Sequence, residues 1–291
     1  MMNKILEIKN LTKYYGNTLG VKDLSLTLNE GETFGFIGPN GAGKSTTIRC
    51  IMNLINKTNG TILFNNEELT KDNIYLKKLI GYLPSEINLY DDLTVKEILD
   101  YHESFYKDNI HDKRKNLVNK LKLDESKLIE ELSLGNLKKV GIVLAFMHSP
   151  KLLILDEPTS GLDPIMQNVL YDLLKEEKEK GTTIFYSTHI LGEISKICDR
   201  VGIIKDGKLL KVENTDNIKN NNFNKITIKS NDIDKIAKEL NIDNKLIENN
   251  TVKFNNKLNI NELINKFSKY KIDKLLIEEA TLEEILINYY L

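Results

Sequence analysis

Nine consecutive residues, Gly38-Pro39-Asn40-Gly41-Ala42-Gly43-Lys44-Ser45-Thr46, restrict the fold of this chain more than any other stretch, because they fill every fixed position of the pattern G-x-x-x-x-G-K-[ST]. The run Thr33-Phe34-Gly35-Phe36-Ile37 before them reads as a buried strand, and Ile48, Ile51, Met52 and Ile55 behind them recur at helical spacing. Strand, glycine-rich turn and helix together make a phosphate cradle. Gly38 and Gly43 let the backbone curl close to an anion, and the amides at the helix start point at it. Lys44 is placed to reach the β- and γ-phosphates, and the Ser45 hydroxyl to hold Mg²⁺. Such a chain is expected to bind a nucleoside triphosphate.

A second half of the site is legible at Lys151-Leu152-Leu153-Ile154-Leu155-Asp156-Glu157, an apolar run that ends in two carboxylates. The run fits a central parallel strand buried on both faces, and ligands in such sheets bind at the carboxyl ends of strands. Asp156 is expected to hold Mg²⁺ through water, and Glu157 to polarise the water that attacks the γ-phosphate. The competing reading is that two adjacent acids simply begin a solvent-exposed loop.

Leu132-Ser133-Leu134-Gly135-Asn136 precedes a helix with Leu137, Val140 and Leu144 on one face. Ser133 is a good cap, and a helix start beside a glycine is an anion site in its own right. One chain thus holds two phosphate-binding helix starts. A symmetric dimer resolves this, the Ser133–Gly135 helix of one subunit facing the phosphate loop of the other.

Composition narrows the class. A hydrophobic fraction of 41% with 29% charged residues is ordinary for a globular chain of 291 residues, and a net charge of -1 gives no global attraction for nucleic acid or anionic lipid. No apolar run approaches the roughly 20 residues needed to cross a bilayer. Charges interrupt Met1-Met2-Asn3-Lys4-Ile5-Leu6-Glu7, where a signal peptide needs a continuous apolar stretch. Cys50 and Cys198 lack metal-ligand spacing and read as buried small hydrophobes. A cytoplasmic location is expected, with any membrane role supplied through a partner.

Residues 1–213 alternate strand and helix patterns, which predicts an α/β domain on a largely parallel sheet. Within it, Val95, Ile98, Leu99 and His102, then Leu117, Val118 and Leu121, predict two amphipathic helices in an insertion spanning about residues 86–135. Residues 214–224 are polar and Asn-rich and read as a linker. The remainder, 225–291, predicts a small α+β module: strand 225–229, helix 232–240, two short strands around Asn249-Asn250, helix 260–267, strand 272–277 and helix 282–290. The order βαββαβ is that of a ferredoxin-like module, with a terminal helix added.

With these motifs in order, residues 1–213 resemble the ATP-binding subunit of an ABC transporter, a P-loop NTPase cassette with a helical insertion. The resemblance implies an ATP- and Mg²⁺-dependent ATPase at the cytoplasmic face of a membrane. It also implies two partners: a separately encoded permease, and a second copy or a homologous subunit, with no nucleic acid. Leu132–Asn136 sits where the family signature LSGGQ belongs, and Ser133 and Gly135 would approach the γ-phosphate of the opposite subunit. Tyr15 would stack on adenine, Ser160-Gly161-Leu162-Asp163 matches the D-loop that touches that subunit, and His189 matches the switch histidine on the γ-phosphate.

Two motifs depart from the family pattern. The Q-loop glutamine should follow Tyr82-Leu83-Pro84, but Ser85 stands there with Glu86 next, so the magnesium-side contact falls to a shorter hydroxyl, a bridging water or Glu86. In the signature, Leu134 replaces a glycine and Asn136 the glutamine. Similar departures occur in the branch serving ABC-2-type exporters, whose C-terminal module ends like Leu282-Glu283-Glu284-Ile285. The rival of another class is a soluble ABC ATPase acting in translation or DNA repair. The insertion is too short for the repair members' coiled coil, and one phosphate loop is too few for the two-cassette translation factors. A GTPase-like switch fails because Asn56-Lys57-Thr58-Asn59 lacks the acid that reads guanine. An inactive regulator is disfavoured by the intact Lys44, Asp156, Glu157 and His189.

Overall fold

The computed structural model describes residues 3–106, 110–216, 224–240, 242, 247–256 and 260–279. The chain divides into two compact units between Glu213 and Asn214. The first opens with two long strands, β1 (Lys4–Tyr15) and β2 (Thr18–Asn29), then β3 (Thr33–Ile37), α1 (Lys44–Ile51), β4 (Asn59–Phe64) and β5 (Glu67–Glu68). A short helix α2 (Ile74–Lys77) leads to β6 (Ile80–Leu83), and the insertion follows as α3 (Val95–Glu103), α4 (His111–Leu121) and a 3₁₀ turn at Ile129–Glu131. Next come α5 (Leu134–Phe146), β7 (Leu152–Asp156), α6 (Pro164–Glu179), β8 (Thr183–Thr188) and α7 (Leu191–Ile197). The hairpin β9 (Arg200–Lys205) and β10 (Lys208–Asn214) completes the unit.

Two sheets share one apolar core. One is antiparallel with strand order β2-β1-β4-β5; the other has order β10-β9-β3-β8-β7-β6, and its pairs from β9 to β6 are parallel. Phe34, Phe36, Ile154 and Phe185 of the parallel sheet, Leu6, Leu24 and Phe64 of the antiparallel sheet, and Ile48 and Ile51 of α1 belong to the same cluster. Successive strand residues point to opposite faces. Leu153 and Leu155 therefore point away from that cluster, toward the side where α6 and α7 pack on β8. Every residue of β3, β7 and β8 is buried, which is why Leu152–Leu155 of β7 reads as a continuous apolar run.

Local chemistry sets the helix ends. Thr94 and Glu97 form a reciprocal capping box on α3, and Asp163 caps α6 by accepting from Ile165 N and Met166 N, with Pro164 at the first position. Helix α1 stops earlier than its spacing predicts: Asn53 takes a φ of 55°, so Ile55 lies beyond the helix although it still packs on the core. In the insertion, the buried guanidinium of Arg114 on α4 bonds Asp100 at 2.5 Å, Glu103 at 2.9 Å and Glu125 at 2.7 Å, tying α4 to α3. Cys50 and Cys198 are both buried, as their isolation in the sequence suggested.

The second unit holds β11 (Asn224–Lys229), α8 (Ile233–Glu239), β12 (Ile247–Glu248), β13 (Thr251–Asn256), α9 (Ile260–Phe267) and β14 (Lys274–Glu279). Its sheet has the order β12-β13-β11-β14 with antiparallel pairing throughout. Ile226, Ile228 and Val252 of the sheet share a core with Ile233, Ile236, Leu263 and Phe267 of the two helices. Asn249 and Asn250, at φ of 49° and 59°, make the tight turn between β12 and β13. Of the linker expected over 214–224, Asn214 closes β10, Thr215 and Asp216 are helical with Thr215 buried, and Asn224 opens β11; residues 217–223 lie outside the described residues. Strand β14 begins at Lys274, after the position 272 expected. The helix expected at 282–290 lies outside the described residues.

Candidate nucleotide site

The carboxyl ends of β3, β8 and β7 lie side by side, with Ile37 paired to Thr188 and Ser187 to Asp156. The Gly38–Thr46 loop leaves β3 at this edge, Asp156-Glu157 leaves β7 and His189 leaves β8. Three stretches far apart in sequence converge because parallel strands present their carboxyl ends along one line.

Gly43 caps α1 at a φ of 106°, and a Cβ there would lie 2.8 Å from Gly20 O and from Val21 Cγ1. Only glycine fits that backbone and that space. At Gly38 a Cβ would lie 2.4 Å from Ile204 O. The loop is thus clamped between the start of β2 and the end of β9. Gly207 N donates to Ala42 O at 3.0 Å, and Gly207 O accepts from Lys22 N at 2.8 Å.

Lys44 is buried and folds its ammonium back over the loop, donating to Gly38 O at 2.8 Å and Pro39 O at 3.2 Å. The same ammonium stands 3.4 Å from Glu157 Oε1, and His189 Nδ1 stands 3.2 Å from that oxygen. One carboxylate oxygen is therefore shared by the loop lysine and the histidine after β8. Glu157 adopts a φ of 48°, a left-handed conformation rare for this residue type, which turns its side chain out of the strand direction. Its amide donates to Ser187 O at 3.1 Å. Asp156 is 1% exposed and accepts a hydrogen bond from Ser187 Oγ at 2.5 Å. The reading of these acids as the start of a solvated loop is thereby replaced by a buried Asp156 and a half-buried Glu157.

Tyr15, 45% exposed, lies beside the loop with its hydroxyl 3.5 Å from Thr46 Oγ1, and Lys13 Nζ sits 4.8 Å from its ring centre. An exposed ring at this place offers a flat apolar platform beside the phosphate cradle. Ser133 caps α5 by accepting from Asn136 N at 3.3 Å, and Leu134 next to it is 80% exposed. Ser160, Gly161 and Leu134 line one cavity with Ser85 and Glu86, so the signature stretch, the D-loop and the segment with the missing glutamine border the same space.

Two charged side chains join the site that the motifs did not single out. Glu193 of α7 is 4% exposed and accepts from Thr159 Oγ1 at 2.6 Å, Thr188 Oγ1 at 2.6 Å, Tyr186 OH at 3.0 Å and Tyr171 OH at 3.4 Å. Burial and then the Glu193 charge hold the Tyr186 hydroxyl well above its usual pKa. Lys138 of α5 is 3% exposed and donates to Pro84 O at 3.2 Å and Ser85 O at 3.0 Å. Burial lowers its pKa, while Asp156 and Glu157 pull it upward. The signal in the sequence is only that each charge falls in a helix among residues on a buried face.

The ABC transporter family profile matches residues 21–160. The chain is 39% identical over 228 residues to a bacitracin transport ATP-binding protein of Bacillus licheniformis, covering 76% of this chain and 73% of that one. It is 37% identical over 213 residues to a linearmycin resistance ATP-binding protein of Bacillus subtilis, covering 72% and 68%. The fold resembles the solved ATP-binding subunit of an ABC transporter, with a TM-score of 0.69 at 33% identity over 74% of this chain and 92% of that one. It also resembles a dimeric ATP-binding cassette in a post-hydrolysis state bound to ADP and Pi, with a TM-score of 0.66 at 26% identity over 72% and 99%. A clamped phosphate loop, a buried aspartate and a glutamate shared by lysine and histidine, found on this fold and beside these relatives, make the chain a member of the ABC transporter family, its ATP-binding and ATP-hydrolysing subunit.

Proposed function

We propose that the chain powers a membrane exporter by ATP-driven pairing of two cassettes, with Glu157 as the base that polarises the attacking water. One observation carries this reading: a single oxygen of Glu157 is shared by Lys44 at 3.4 Å and His189 at 3.2 Å. Lys44 neutralises the phosphates, Glu157 takes the proton of the water, and His189 orients both by holding the Glu157 carboxylate and reaching the γ-phosphate. Gly38 to Thr46 wraps the phosphates and Tyr15 carries the adenine. The hydroxyl of Ser45 and the buried carboxylate of Asp156 are hard oxygen donors that suit Mg²⁺, with Ser85 or its water as the third contact from the protein. The metal would supply charge neutralisation between the phosphates. Ser133, Gly135 and Asp163 complete the site of the opposite subunit.

The exporter assignment draws on the relatives, which are named for bacitracin transport, linearmycin resistance and lantibiotic transport. No helix among the described residues is long and apolar enough to cross a membrane, which fits an attachment to a separate permease at the cytoplasmic face. A groove of about 460 Å³ on the insertion suits that attachment; it is lined by Leu89, Tyr90, Tyr101 and Phe105, the last three exposed. Residues 1–213 form the ATPase domain and 225–291 an accessory module. The order β12-β13-β11-β14 with antiparallel pairs supports a ferredoxin-like arrangement for the latter.

The test is membrane attachment. Leu89→Glu and Tyr90→Glu should release the chain from the membrane fraction of cells and uncouple transport, while the isolated subunit keeps its basal ATPase rate. Retained attachment, or parallel loss of both activities, overturns the docking assignment.

A further inference from the structure

Helix α5 is gripped at three points along one face. Near its start, a Cβ on Gly135 would lie 2.9 Å from Gly161 O, so the helix start rests on the D-loop backbone. Three residues on, the Lys138 ammonium bonds the consecutive carbonyls of Pro84 and Ser85. Three further on, a Cβ on Gly141 would lie 2.4 Å from Ile87 Cδ1 and 2.7 Å from Leu83 Cδ1. Positions separated by three residues share a helix face. The face that meets the D-loop therefore also meets the segment from Leu83 to Ile87.

The lysine is the polar element of this contact. A buried ammonium is unfavourable unless its protons find acceptors, and an apolar side chain of similar length would fill the same space without that penalty. Here two protons are spent on backbone carbonyls, one of them the carbonyl of the residue that stands where the family has its Q-loop glutamine. Backbone carbonyls are fixed in the segment, so the bonds hold the chain path itself.

We propose that Lys138 is a positioning residue: it pins the Leu83–Ile87 segment to α5, so that the place of Ser85 and the orientation of the Ser133 helix start change together. In a chain whose residue 85 has a short side chain, the link runs through backbone and lysine instead of through a long amide. The inference requires only that the chain hydrolyses ATP; it holds whether or not Ser85 itself approaches magnesium.

Two variants of the full chain test it, Lys138→Met, which keeps the stem and removes the donors, and Lys138→Gln, which keeps an amide donor. Hydrogen exchange read by mass spectrometry should rise at least tenfold in peptides covering Leu83 to Leu89 of Lys138→Met, with α1 and β7 unchanged. Its kcat should fall about tenfold while ATP affinity stays within twofold. Lys138→Gln should show an intermediate local increase of about threefold and recover part of the rate. Wild-type exchange over Leu83 to Leu89, an increase spread evenly over α5 and β6, or ATP affinity falling in step with kcat would each overturn the proposal. If Lys138→Met does not fold, Lys138→Gln decides: a local increase supports the pin, and unchanged exchange rejects it.

Discussion

Thr159 and Glu193 are joined by a buried hydrogen bond of 2.6 Å, which fastens the segment following Asp156-Glu157 to the helix following His189. Thr188, the residue before that histidine, bonds the other oxygen of the same carboxylate at 2.6 Å. The acid and histidine sides of the nucleotide site are therefore held in register by one side chain. Glu193→Gln keeps the shape but removes the charge and places an amide donor against hydroxyl donors. Hydrogen bonds to charged groups contribute about 1.5–3 kcal/mol, so a loss of about 2–3 kcal/mol is expected. For a unit of this size, that corresponds to roughly 5–10 °C in Tm, read by thermal unfolding. An unchanged Tm would show that the four hydroxyls are satisfied without the charge.

Glu157→Gln should keep ATP binding and lose steady-state hydrolysis by about 10²- to 10⁴-fold, the range for a positioned general base. With the reaction blocked, ATP-bound dimers should accumulate, and light scattering with and without ATP reads this directly. Near wild-type turnover would remove Glu157 from its assigned role.

Lys44→Ala acts on a different step. The buried ammonium that folds over Gly38 O and Pro39 O is the fixed cation of the cradle, and its loss should weaken ATP binding itself. A charge-assisted contact of about 2 kcal/mol corresponds to roughly a thirtyfold rise in the ATP dissociation constant, measurable by calorimetry. Unchanged affinity with lost turnover would place the lysine in catalysis alone.

Ser85→Ala should lower turnover more than affinity, because a magnesium-side contact forms mainly when γ-phosphate and water are aligned. Loss of one such contact corresponds to about 1–2 kcal/mol, roughly five- to thirtyfold in rate. Glu86→Gln is the companion variant. Unchanged rates in both would leave this segment a mechanical link with no metal contact.

Stability should fall in mild acid. Burial, and then the neighbouring His102, push the His148 pKa from 6.5 down to about 4, and burial lowers that of His102 as well. The ring of His148 stacks on that of Tyr106 in the insertion, with centroids 4.6 Å apart. The unfolded chain takes up a proton near pH 6.5 that the folded chain refuses until about pH 4. Stability is therefore complete above that upper value and declines as pH drops below it. From pH 7 to pH 5, His148 alone accounts for about 2 kcal/mol. Urea unfolding across this range should show the decline, and His148→Gln should remove most of it. A flat profile would mean that the ring is solvated in solution.

The sequence by itself determined the elements whose signals are local. The phosphate loop is legible because its glycines answer to backbone conformation, as Gly43 at a φ of 106° requires. The central strands are legible because burial on both faces leaves continuous apolar runs, as in β7. The Asn249-Asn250 turn and the Ser133 and Asp163 caps belong to the same class, since each depends on one or two residues and the backbone beside them. Tertiary structure alone decided which distant groups share an atom. Glu157 meets Lys44 and His189 on one oxygen because parallel strands align their carboxyl ends. Glu193 and Lys138 are ordinary helical charges in the sequence, and their roles come from partners 34 and 53 residues away. A charge on an amphipathic helix carries no local mark of burial; only packing removes the water that would otherwise solvate it, and that packing selects the hydroxyls and carbonyls that take the water's place.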